Sequence, residues 1–100
     1  MISLDDCCAF CGISESAVLA IAEHEHIPAL SAAGLAQHLL CQPDGCRVIG
    51  GMIADDYCSA VEHGDRRHAD EMRALLREFV ASNPGALASR RARACLAVGA

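Results

Sequence analysis

The chain has 100 residues, a 53% apolar composition and a formal net charge of −5, enough for one modest hydrophobic core. Three aromatics (Phe10, Tyr57, Phe79) and no Trp leave that core to aliphatic and small side chains, which suit packed helices and argue against a β-sandwich. Residues 1–65 hold ten Asp and Glu against Arg47 alone, whereas 66–100 hold seven Arg against Asp70, Glu71 and Glu78; phosphate repels so acidic a body, which excludes a nucleic-acid-binding function.

No apolar run approaches the roughly 20 residues that span a bilayer, and Asp5 and Asp6 stand where a secretory signal would be basic. The expected location is therefore the cytoplasm. Seven cysteines, an odd number, then read as reduced thiols and small apolar side chains rather than as a disulfide framework.

In chain order, Ser3 caps a short helix over about 4–11, and Gly12 closes it. Ser14 caps the next, about 15–26, with Ile13 and Val18 spaced as a hydrophobic staple. Pro28 suits a first helical position and opens a helix over about 28–41. The turn Gln42-Pro43-Asp44-Gly45 leads into a helix over about 45–63, in which Cys46, Ile49, Ile53, Tyr57 and Ala60 recur at helical spacing. Gly64 and Asp65 end that helix and cap the next, about 66–82, whose stripe is Met72, Leu75, Leu76, Phe79 and Val80. Asn83-Pro84-Gly85 stops it. The expectation is an all-α bundle of four to five short helices in one domain, 1–84, followed by a flexible Ala/Arg-rich tail, 85–100.

The stretches Glu23-His24-Glu25-His26-Ile27-Pro28, Met52-Ile53-Ala54-Asp55-Asp56 and Gly64-Asp65-Arg66-Arg67-His68-Ala69 resemble those of a group of small uncharacterised bacterial helical proteins. The resemblance, over roughly 3–84, implies a compact helical fold and a bacterial cytosolic origin; it carries over no activity, cofactor or catalytic residue.

Helical wheels pick out two constellations that could bear chemistry. Glu25 and His26 lie on the flanks of an apolar arc centred near Val18 and Ala22, His68 falls within the stripe of 66–82, and Asp56 points inward while Asp55 points away. With Glu23, spaced Glu23-x-x-His26, these residues form the kind of His and carboxylate set that divalent metals such as iron or zinc prefer. The bland alternative is a hydrogen-bonded polar knot with His68 held by Asp56 or Glu25. The second constellation is Cys8-x-x-Cys11 with Cys41-x₄-Cys46, a possible Cys₄ zinc set whose bland counterpart is thiols packed in the core. His24, His38 and His63 take polar positions and read as solvated.

No phosphate loop follows a strand, and Gly50-Gly51 falls inside a helix, where it permits close packing. With no assignable nucleophile and little room for a water-excluding cleft, the leading expectation is a non-enzymatic module that binds another protein or itself, as a homodimer. The alternative is a small metal-binding bundle.

Overall fold

A computed structural model describes residues 13–97, and every regular element in them is helical. Five α-helices follow in order: α1 (Glu15–Glu25), α2 (Ala29–Leu40), α3 (Gly45–Glu62), α4 (Arg66–Ser82) and α5 (Arg90–Ala97), with a 3₁₀ turn over Pro84–Ala88 between the last two. The helix expected over 4–11, with Cys8 and Cys11, lies outside the described residues.

Local chemistry sets the boundaries. Ser14 accepts a hydrogen bond from the Ala17 amide at 3.1 Å, and Ile13 and Val18 are both buried, so cap and staple fix the start of α1 together. The end of α1 differs from expectation. His26 adopts φ 57°, ψ 46°, a left-handed conformation uncommon for a residue with a Cβ, and ends the helix one residue early. Pro28 precedes α2 as its N-cap in extended conformation, rather than forming its first turn. Asp65 accepts from the His68 amide at 3.1 Å to cap α4, and Gly64 at φ 73° makes the turn before it.

Helix α3 is the centre of the fold and touches every other element. Its residues Ile49 and Ile53 have no exposed surface and pack in one core with Val18 and Ile21 of α1 and Leu76 of α4. The turn into α3 is equally exacting, because a Cβ on Gly45 would overlap the Leu39 carbonyl group. Backbone cannot yield as a side-chain tip can, so Gly45→Ala is expected to cost about 2 kcal/mol, the scale of core overpacking. A urea midpoint unchanged by the substitution would show that the α2–α3 turn relaxes freely.

The segment from Gly85 departs most from expectation. In place of a loose tail, the 3₁₀ turn and α5 lie on α3, with Ala86 and Ala92 fully buried and Cys95 nearly so. Ser89 Oγ accepts from the Ala92 amide at 3.2 Å, and Arg93 donates to the Leu87 carbonyl at 2.7 Å, so the turn into α5 is held by its own side chains. The face that α5 buries is made of Ala92 and Cys95, with half-buried Leu96, and such small residues leave almost no hydrophobic stripe in a sequence. Gly50 and Gly51 provide the room: a Cβ on Gly50 would stand 3.0 Å from that of Ala86, and one on Gly51 2.6 Å from Arg91 Nη2. The glycine pair therefore serves close packing within this chain, not the meeting of two copies. Among the described residues no helix is long and apolar enough to cross a membrane.

Candidate functional site

One end of the bundle gathers ionisable side chains from four helices. The C-terminal end of α1 brings Glu23, His24 and Glu25; α3 brings Asp55 and Asp56; the first turns of α4 bring His68 and Glu71; and α5 brings Arg91.

Two chains of ion pairs run through this end. In the first, His68 Nε2 lies 2.8 and 2.9 Å from the two Glu23 oxygens, and its Nδ1 lies 3.5 Å from Glu71. In the second, His24 stands between two carboxylates, Nδ1 2.7 Å from Glu25 and Nε2 3.0 Å from Asp55, and Arg91 donates to the same Asp55 oxygen at 2.5 Å. Both imidazoles are held above their ordinary pKa of 6.5. For His68 the hydrogen bond to Glu23 is the main cause, with burial opposing it. For His24 burial works against the charge, but the bonds to Asp55 and Glu25 and the charge of Asp56 outweigh it.

Asp56 lies between these chains and behaves differently. It is only 6% exposed, and its Oδ2 has no hydrogen-bond partner. Burial, followed by the charge of Glu23, pushes its carboxyl up to about 7, against the pull of His24 and His68. A carboxyl of this kind changes its charge near neutral pH.

Two recesses open beside these residues. A groove of about 670 Å³ runs between α1 and α4, with Leu19, Ala20, Met72 and Leu75 on its walls and Glu23, Glu71 and Glu78 among its polar lining. Leu19 is 47% exposed there, a large apolar side chain without a cover. A smaller recess of about 310 Å³ is lined by Glu23, His24, His26, Asp55, Asp56 and Ser59, so Glu23 borders both.

Of the residues singled out in the sequence, Glu23 and His68 meet directly and Asp56 is inward as expected, while Glu25 binds His24 instead of pointing at the core. His26 is exposed at the helix end, because the left-handed turn carries it off the wheel on which it was placed. His68 is held by Glu23 and Glu71, not by Asp56 or Glu25, and remains 30% exposed. Cys41 is exposed, and Cys46 is half-buried with its Sγ 3.7 Å from Asn83 Oδ1. Among the described residues no three His, Cys, Asp or Glu side chains are grouped to hold a metal ion.

Three members were not expected from the sequence. His24 and Asp55 read as solvent-facing and Arg91 as part of a tail, yet together they tie α1, α3 and α5. Asp55 turns outward from the α1–α4 core, as the wheel placed it, but α5 covers that side. The signal that could have found it is Ser89, a capping residue ahead of the arginines that announces a helix where a tail was expected. No family model matches the chain, and no curated protein or solved structure was found similar to it.

Proposed function

We propose that this chain is a non-enzymatic protein-interaction module of the bacterial cytoplasm, and that its groove between α1 and α4 takes an amphipathic helix with basic flanks from a partner protein. The observation that carries the reading is the groove itself: an apolar trough with uncovered Leu19, bordered by Glu23, Glu71 and Glu78. An apolar helix face gains stability by burial in such a trough. The glutamates favour Lys or Arg on its flanks and disfavour acidic ones. The same charges weigh against a symmetric dimer built groove to groove, since an isologous contact would set this carboxylate border against its own copy.

The test uses two helical peptides of about 18 residues with the same leucine stripe, one flanked by Lys and one by Glu. The Lys-flanked peptide is expected to bind by fluorescence anisotropy, at least about tenfold more tightly than its counterpart. Leu19→Glu and Glu78→Lys should each weaken it about tenfold; both positions are exposed, so the fold is retained. Equal affinity for the two peptides, or binding indifferent to Leu19→Glu, sinks the reading. Light scattering covers the other occupant: a two-chain mass that Leu19→Glu reduces to one would make the occupant a second copy and overturn the basic-partner assignment.

A further inference from the structure

We infer that the recess beside Asp56 is a receptor for a primary ammonium group, the end of a lysine side chain carried by the segment that occupies the α1–α4 groove. The source of the ammonium rests on the groove reading; the chemistry of the recess does not.

Most carboxylates of the cluster already have a cationic partner. Glu23 faces His68, and Asp55 faces both His24 and Arg91. Asp56 has no ion-pair partner among the described residues, although it is the most buried carboxylate of the group, and its Oδ2 accepts from nothing. A buried carboxylate without an ion-pair partner is costly, and a cation with hydrogens to donate, held beside it in the recess, offsets that cost.

The recess suits such a cation. It holds about 310 Å³, and Glu23, Asp55 and Asp56 line it with Ser59 as a further acceptor; of the two imidazoles that also line it, His24 is already paired with Glu25 and Asp55, and His26 is exposed. It also lies at the C-terminal end of α1, where the helix dipole adds negative potential. The available acceptors decide between ammonium and guanidinium. Both Glu23 oxygens are engaged by His68, Asp55 Oδ2 is engaged twice, and Asp56 Oδ2 is sealed off with almost no surface of its own, so no carboxylate presents a clear two-oxygen edge. A planar guanidinium needs such an edge, whereas a compact ammonium is satisfied by single oxygens approached from several directions. Glu23 lines groove and recess alike, so the two adjoin at that side chain, within reach of a long side chain from a helix seated in the groove.

The experiment titrates the full chain with n-butylammonium chloride at constant ionic strength, following side-chain carboxyl carbons by NMR. A saturable shift of the Asp56 resonance is expected, at least about tenfold weaker binding in Glu23→Gln, and loss of saturable binding in Asp56→Asn. Tetramethylammonium, a cation with no hydrogens to donate, should leave Asp56 unmoved. The inference is overturned if butylammonium gives no saturable shift, if Asp56→Asn binds it as well, or if tetramethylammonium acts equally. Leu19→Glu blocks the groove but not the recess and should leave the shift intact, so a failure of peptide binding and a failure of the recess are told apart.

Discussion

Truncation after Gly85 should lower the melting temperature by more than about 10 °C, the equivalent of roughly 3 kcal/mol for a domain of this size. Removal takes away Ala86 and Ala92, both fully buried, and Cys95, which is 4% exposed, and uncovers the side of α3 on which they lie. Each apolar group that returns to water costs about 0.8 kcal/mol per methylene equivalent, and the newly uncovered α3 surface adds to it. Loss of the Arg91–Asp55 pair contributes little, since Arg91 is 61% exposed and an ion pair of that kind is worth under about 1 kcal/mol. The substitution Ala92→Asp in the full chain should be destabilising on the same scale, by placing a charge where no partner waits. Circular dichroism melts of both variants provide the check. A truncated chain that melts within about 3 °C of the parent would mean that α5 is an appendage and not part of the core.

The second large effect concerns Asp56 and has a definite sign. Its carboxyl ionises near 7 in the folded chain and near 3.9 in the unfolded one. Below about pH 4 both states hold the proton and the group is neutral in its effect on stability. Between pH 4 and 7 the unfolded chain releases the proton while the folded chain keeps it, so folding stability falls as pH rises. Above 7 the full cost is present. Asp56→Asn, which keeps the shape and cannot ionise, should therefore stabilise the protein at pH 8 by about 4 kcal/mol and have little effect at pH 4.

His24 and His68 add a slope of the same direction. Their folded pKa values lie above 6.5, so their stabilising contribution is complete below that value and fades as pH rises through the folded ones. The part of that slope due to the bonds with Glu23, Glu71, Asp55 and Glu25 should persist in Asp56→Asn, while the share that the Asp56 charge adds at His24 is lost. Urea unfolding of both proteins at pH 4, 6 and 8 separates the contributions, and a difference between them that does not vary with pH would place the Asp56 carboxylate in contact with water or a cation.

Local chemistry was legible in the sequence wherever one residue's own backbone decides the outcome. Ser14 and Asp65 as caps, Gly64 as a left-handed turn and the extent of α4 all follow from short-range rules, and the inward position of Asp56 follows from the 3.6-residue period of α3. Where side chains of different helices choose one another, tertiary structure decided. His24 and His26 lie two residues apart, and only the left-handed turn at His26 and the approach of Asp55 bring the first into the cluster and leave the second in solvent. Asp55 turns away from the α1–α4 core on the wheel, and it becomes part of a network because α5 packs over that side and supplies Arg91. Docking of α5 rests on alanines and glycines whose small size gives no hydrophobic stripe: their contribution is the absence of bulk, which has no period along a chain and acts only when another helix comes close.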